Sequence, residues 1–382
     1  MLAEPATTVY TEQGQLTRGS QNITALGADL MGDKVNLYTG TLEFTATDVS
    51  LPGNSSLPVA VGRRLVAGRD RYVAGHLGDW DLDIPRLSGV FDARTGWVNS
   101  ANGTNRCSNY SAPPNAVITG TVWWYPEEFW QGNTLYVPGA GGQEILVRSA
   151  ANTAKPTDGQ AYPLVTSANW QIRCLPTLAN GAGEGFVAVS PDGTQYRFDW
   201  MATRLYPAMS GDGGARLSRR EVWIMPTVVT DRFGNTVTYS YDSAEPWKLT
   251  RIQASDGRVL TLTYTSVNGS SRIDTVTDGS RTWNYDYGSA GELTRLTLPD
   301  ASYWQFNLGG LVAALASPAG EGASCEFVGA APNETFEGSI THPSGAVGTF
   351  RTAGSTSSAS RRRQRRTHRP MRSGRASSGC SH

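Results

Sequence analysis

The second half of the chain repeats one phrase, and that repetition constrains the fold more than any other feature. A turn carrying Asp or Gly leads, within a few residues, into a strand whose alternate positions are large and mostly aromatic. The clearest copies are SPDGTQYRFDW (190–200), TDRFGNTVTYSYD (230–242), SDGRVLTLTY (255–264), TDGSRTWNYDY (277–287) and PDASYWQFNL (299–308), with weaker copies at 317–327 and 342–351. The turn positions Asp192, Asp231, Asp256, Asp278, Asp300, Ala319 and Ser344 lie 39, 25, 22, 22, 19 and 25 residues apart. Such a period marks an array of stacked units, which builds surfaces or shells rather than a compact enzyme.

After each turn the pattern has period two. Val237, Tyr239 and Tyr241 alternate with Thr236, Thr238 and Ser240; Trp283, Tyr285 and Tyr287 alternate with Thr282, Asn284 and Asp286. Strict alternation of this kind predicts half-buried strands. Asp-Gly at Asp192-Gly193, Asp256-Gly257 and Asp278-Gly279 predicts tight hairpin turns with positive φ. A second strand leads into each turn, as in LTRI (249–252), IDTV (273–276) and LTRL (293–296). One hairpin is not stable alone, but hairpins side by side form a continuous sheet with one aromatic face. No apolar stripe of helical period appears, so the expected fold is all-β with very little helix.

The formal net charge is zero, but it is unevenly spread. Residues 361–382 hold eight Arg and no acid, leaving 25 basic against 33 acidic residues in the body, a net of −8. That body offers no electrostatic footprint for nucleic acid. No run is apolar enough for a membrane-spanning helix. The N-terminus MLAEPATTVYTEQG lacks the basic and apolar regions of a signal peptide. The four cysteines show no metal-ligand spacing; Cys107 and Cys174 would pair in an oxidising compartment, although the reading favoured here leaves them unpaired.

Several residues invite a chemical reading. His76, Asp79, Asp81 and Asp83 lie in HLGDWDLDIP; on a strand the three Asp share one face, spread too far for a Ca²⁺ site, and read as a solvated surface. Glu127 and Glu128 sit among the aromatics of WWYPEEFW; adjacent strand residues point oppositely, so they do not make a glycosidase dyad. Trp123, Trp124 and Trp130 suggest sugar stacking, with aromatic packing as the favoured alternative. Glycosylation-type triplets at Asn22, Asn54, Asn102 and Asn268 are expected by chance in a chain rich in Ser and Thr. No nucleophile elbow, P-loop or zinc-protease motif is present, so no catalytic residue, cofactor or metal is nominated.

The segment 27–66 carries Gly32, Asp33, Val35, Asn36, Thr39 and Gly40, then Thr47, Asp48, Leu51, Pro52 and Gly53, then Leu57, Pro58 and Arg63-Arg64. That order resembles the N-terminal region of bacterial Rhs proteins (G-D-x-V-N-x-x-T-G, T-D-x-x-L-P-G, L-P and a basic residue). GDWDLDIP (78–85) resembles the following G-x-G-W strand, with Asp in place of the second Gly. The array resembles the YD repeats of the same family, best at Tyr239, Tyr241 and Asp242 and at Tyr285, Asp286 and Tyr287, with Asp256-Gly257 and Asp278-Gly279 as turn signatures. The resemblance implies a spiralling sheet of β-hairpin repeats forming part of a cocoon-like shell. In bacterial members, which are secreted or lie at the cell surface, such a shell commonly encloses a C-terminal toxin domain delivered to rival cells, and the N-terminal segment helps to close it.

Two departures accompany it. The D-P-x-G-L ending and the toxin domain are absent, and about seven repeats are too few to enclose a domain. The chain therefore reads as the front part of such a protein: a flexible segment 1–26, an N-terminal β region 27–100, a variable β region 101–182, the array 183–352 and a disordered Arg/Ser-rich tail 353–382. The tail reads as a frameshift product, in preference to a basic arm. The expected role is structural and non-enzymatic, with the toxin domain and secretion machinery as partners; the alternative is a cell-surface carbohydrate-binding module with glycan partners.

Overall fold

The computed structural model describes residues 31–35, 42–66, 75–119, 122–210, 215–315 and 335–353. The expectations for 1–26, for Asn36, Thr39 and Gly40, for Asn22, for the weak repeat at 317–327 and for the tail beyond 353 lie outside these residues. Within them the chain is all-β. Two short helices, α1 (Pro126–Phe129) and α2 (Gly309–Leu315), are the exceptions.

The repeats form a meander in which every strand pairs antiparallel with the next: β16 (Thr236–Tyr241), β17 (Leu249–Ala254), β18 (Val259–Val267), β19 (Ser270–Thr277), β20 (Thr282–Tyr287), β21 (Leu293–Thr297) and β22 (Tyr303–Asn307). It continues into β23 (Thr335–Thr341) and β24 (Val347–Ala353). The period-two faces fall as the alternation predicts. Val237, Tyr239, Leu260, Leu262, Trp283 and Tyr285 are buried, while Thr238, Ser240, Thr263 and Asn284 are exposed.

The hairpin turns correct one detail. In the turn at 254–258 the Gly257 amide donates to Ala254 O (3.1 Å) and the Ala254 amide to Arg258 O (2.9 Å). This is a three-residue loop in which only the glycine takes positive φ, +93° at Gly257, as at Gly193 (+91°) and Gly279 (+94°). Asp supplies a side-chain acceptor instead: Asp278 Oδ1 takes the amides of Ser280 (2.9 Å) and Arg281 (2.7 Å). At 298–302 the same loop places Ala301 at φ +67°. A Cβ there costs about 1 kcal/mol. Ala301→Gly will therefore stabilise the chain by about that amount in urea denaturation; an unchanged midpoint would show that the strain is absent.

One regularity escaped the sequence reading. Tyr241, Tyr264 and Tyr287 each donate their hydroxyl to a backbone carbonyl one strand back, at Pro226 (2.8 Å), Leu249 (2.8 Å) and Ile273 (2.6 Å). In all three a register shift immediately precedes the tyrosine. The extra residue (Thr250, Asp274 or Thr294) lies on the following strand, where a bulge tightens the local twist, so each tyrosine ties back to the preceding strand at the point where the sheet coils forward.

Upstream, β14 (Gln195–Ser210) and β15 (Arg216–Thr230) form a long hairpin. The other side of β15 is shared. Val228–Thr230 pair with β16, while Arg219–Ile224 pair with β5 (Arg86–Asp92). Pro226, which has no N–H to offer, lies between the two pairings. From β5 the pairing runs to β8 (Thr134–Val137) and β9 (Gly141–Glu144), through Ile145 into β10 (Leu146–Val147), and on to β11 (Leu164–Val165), β12 (Gln171–Leu175), β13 (Gly185–Val189) and back to β14. The strands thus close a ring around Leu87, Phe91, Leu135, Ile172, Phe186 and Phe198, and closure removes sheet edges.

Two further expectations are corrected here. Cys107 and Cys174 form a disulfide, with Cα atoms 5.5 Å apart, beside the core of the ring. Glu127 and Glu128 lie on α1 rather than a strand. Pro126 at the first helical position pre-sets the turn, and Glu128 accepts the Tyr125 amide at 2.6 Å. Trp124 packs with Phe129 and Leu217 beneath β6 (Ala116–Thr119) and β7 (Val122–Trp124), leaving it no open face.

Candidate functional site

The N-terminal residues form a second sheet of four strands, β1 (Asp33–Val35), β2 (Leu42–Ser50), β3 (Ala60–Val66) and β4 (Asp81–Leu82). This sheet lies on the aromatic face of the repeats. Phe44, Val49, Leu65, Trp80 and Leu82 share one core with Tyr239, Leu260, Ile273 and Tyr285. The seam between the two sheets buries Glu43, Arg63, His76 and Arg272 and is the candidate functional site.

At its centre Arg63 of β3 is 1% exposed. Its guanidinium lies 5.4, 4.9 and 4.7 Å from the rings of Trp80, Trp304 and Phe306 and pairs with Asp48 of β2. Burial lowers the Arg63 pKa to about 10, which leaves it charged at neutral pH. The second oxygen of Asp48 accepts the hydroxyl of Tyr285 at 3.0 Å. An N-terminal motif acid, a neighbouring motif arginine and a repeat tyrosine thus form one buried network.

A second contact lies at the Leu51–Asn54 turn. The Asn54 amide donates to Asp256 Oδ2 (3.1 Å), and Arg258 donates to Leu51 O (2.9 Å) and Ser55 Oγ (3.2 Å). A Cβ on Gly53 would lie 2.1 Å from Arg258 Nε, so a side chain there would displace the Arg258 guanidinium from Leu51 and Ser55. The Arg258 hydrogen bonds hold Asp256 at about 2. Pro52 precedes the contact and is exposed.

HLGDWDLDIP supplies the third contact and overturns its reading as a solvated strand face. Gly75–Trp80 is a tight double bridge, so the three aspartates diverge. Asp79 accepts the Leu293 amide (3.0 Å), Asp81 takes a fork from Arg204 (2.6 and 2.8 Å), and Asp83 accepts the Tyr136 hydroxyl. Arg204 also reaches Glu221 (2.9 Å) and lies over Trp223 (4.4 Å). His76 donates from Nε2 to Trp247 O (2.9 Å), and its own carbonyl accepts the Ile273 amide (3.0 Å). Burial would raise the Asp81 carboxyl, but Arg204 overrides it and holds it well below the usual range. Among the described residues no cluster of three or more His, Cys, Asp or Glu is arranged to hold a metal.

Asp79 differs. Burial raises its pKa to about 6, and the nearby Glu292 charge adds to the effect. The unfolded carboxyl titrates near 3.8, so between these values the folded state holds the extra proton and stability rises as pH falls. The turn aspartates Asp192, Asp231, Asp278 and Asp300 are instead lowered by hydrogen bonds they accept, so their contribution is lost as pH falls below the unfolded value. Asp79→Asn will stabilise the chain by about 1–2 kcal/mol at pH 8, and the gain will vanish near pH 4. Denaturation midpoints across that range check this; a gain independent of pH would overturn it.

The remaining motif residues act locally. Gly32 has φ +75°, and a Cβ there would lie 1.9 Å from Thr45 O. Asp33 opens β1 opposite Phe44. Asp242 accepts the amides of Ala244 (2.8 Å) and Glu245 (2.9 Å), and Asp286 is exposed. Arg204 and Arg258, two principal partners at the seam, were missed by sequence reasoning because isolated arginines carry no local signal. The even spacing of Tyr241, Tyr264 and Tyr287 was the signal that could have found the tyrosine ladder.

No protein-family model matches the chain, and no curated protein matches its sequence. Among solved structures, the N-terminal domain of effector protein SpvB from Salmonella typhimurium strain LT2 is similar at 10% identity, over 69% of this chain and 94% of that one, with a TM-score of 0.30. The TcdB2-TccC3-TEV crystal structure is similar at 10% identity, over 77% of this chain and 19% of that one, with a TM-score of 0.16. No described helix is long and apolar enough to cross a membrane.

Proposed function

We propose that the chain is a structural segment of an Rhs/YD-repeat shell, which in intact form encloses a C-terminal toxin domain. One observation carries the reading. The two sequence segments that resemble this family, the N-terminal motif and the repeat array, meet at one seam through Asp48 with Tyr285 and through the Leu51–Asn54 turn with Asp256. A closing element seated on the inner face of a repeat sheet is what such a shell requires at one end. Containment, rather than catalysis, is the role. Hydrogen-bonded strands and a continuous core make the wall, without a cofactor or nucleic acid. The Cys107–Cys174 disulfide favours an oxidising environment, in keeping with secretion or a cell-surface position.

The carbohydrate-binding alternative finds less support. All eleven tryptophans are among the described residues, and each is buried or half-buried rather than exposed. The shell reading is tested by translating the coding DNA from codon 340 onward in all three frames. Resumed YD repeats ending in D-P-x-G-L and a variable domain support it. Their absence from every frame overturns it, and a glycan-array screen then becomes decisive for the alternative.

A further inference from the structure

Among the described residues the seam is not closed along its whole length. A cavity of about 770 Å³ opens between the end of β3, the Gly75–Trp80 turn, the β18–β19 and β20–β21 connections and the start of α2. One part of its wall is apolar, formed by Leu65, Val66, Phe306, Leu308 and Val312. The other part carries Arg272, Asp79 and Glu292.

These three groups are under-used. Arg272 is 8% exposed, yet among the described residues its one hydrogen bond runs from Nη1 to Ser271 O (3.0 Å), and its Nε finds no partner there. Among the described residues no carboxylate makes a contact ion pair with it, although Asp79 and Asp81 act on it from a longer range. Glu292 Oε2 is likewise buried without a partner. Asp79 accepts the Leu293 amide, and no described cation forms an ion pair with it. Gly78 allows this close approach, since a Cβ there would lie 2.3 Å from Gly291 O. Arg272 and Asp79 attract each other across the cavity but make no contact ion pair, and the partnerless Arg272 Nε and Glu292 Oε2 are costly to leave unsatisfied in the interior. Lining one cavity without touching one another, they suit a ligand that brings an acceptor to the guanidinium and a donor to the carboxylates. Two carboxylates are far fewer than the roughly six to eight oxygens a Ca²⁺ ion takes, whereas an ammonium with three N–H donors is matched by them.

We propose that this cavity binds an apolar amino-carboxylate zwitterion, its carboxylate on Arg272, its ammonium at Asp79 and Glu292, and its apolar body against Phe306, Leu308 and Val312. A free amino acid and a short peptide with free termini share this chemistry, and the size and mixed lining of the cavity suit either. Asp79 belongs to the N-terminal segment, whereas Arg272 and Glu292 belong to the repeats. The ligand therefore bridges the seam and raises the unfolding midpoint of the whole chain.

The test is calorimetric titration of the full chain with L-leucine and with Leu-Leu, beside N-acetyl-Leu-Leu and Leu-Leu amide. At least one zwitterion will bind, and either cap on Leu-Leu, or the matching cap on leucine, will weaken binding at least tenfold. Binding of leucine alone identifies the amino acid as ligand; binding of the dipeptide alone identifies the peptide. Arg272→Gln will abolish the preference for a free carboxylate, and Glu292→Gln the preference for a free ammonium. The capped ligands give the same reading on the unaltered chain should a variant fail to fold. Absence of binding by both zwitterions at millimolar concentration, or binding indifferent to capping, overturns the proposal.

Discussion

Truncating Asp48 to alanine will cost the fold about 3–5 kcal/mol, because it strands the Arg63 charge inside a box of aromatic rings. Trp80, Trp304 and Phe306 surround the guanidinium, and its Nε already lacks a hydrogen-bond partner. The ring faces offer a weak electrostatic attraction but no acceptor to replace a carboxylate. Tyr285 loses its acceptor in the same step. Combining Asp48→Ala with Arg63→Met will recover most of the loss, since a buried pair replaced by apolar groups of similar volume is close to neutral. Urea denaturation followed by tryptophan fluorescence reads both variants. A loss below about 1 kcal/mol for the single substitution would show that the arginine finds another counter-charge.

Removing the disulfide will have an effect of similar size. Cys107 and Cys174 are 67 residues apart, and releasing a loop of that length restores denatured-state entropy worth about 4 kcal/mol. The bond holds the 94–115 segment over the ring. That segment is fastened elsewhere by Arg106 donating to Glu184 O (3.0 Å) and by the Glu184 carboxylate accepting the amides of Cys107 (2.9 Å) and Ser108 (2.8 Å). Replacing both cysteines with alanine, or adding reductant, will lower the denaturation midpoint and increase amide exchange through 94–115. Equal midpoints with and without reductant would sink the prediction.

The repeats were legible because their information is local. Alternation at Val237, Tyr239 and Tyr241 or at Trp283, Tyr285 and Tyr287 reports which side chains share a face, and the glycines at 193, 257 and 279 report where the chain turns. The candidate site was legible only in part. Asp48, Gly53, Asp256 and Tyr285 stood out as motif residues, but nothing in their spacing places Asp48 beside Tyr285, 237 residues away. The aspartates of HLGDWDLDIP looked like a solvated face because alternation counts polar positions and cannot see an arginine arriving from another strand. Arg204, 123 residues further on, is what makes Asp81 tolerable in the interior. The cysteines were ambiguous for the same reason: spacing alone does not say whether the fold brings a turn and a distant strand within bonding distance.

The sequence by itself determined the all-β class, the hairpin unit, its turns and the inward aromatic face, since period and turn chemistry are properties of consecutive residues. Only the tertiary structure decided what covers that face, how β15 divides its free side between β5 and β16 to close a ring, and where the buried charges find partners. Those outcomes depend on backbone hydrogen bonds and ion pairs between residues far apart in the chain. Any strand with the right face can in principle make them, and selection among the candidates falls to packing and charge complementarity in three dimensions.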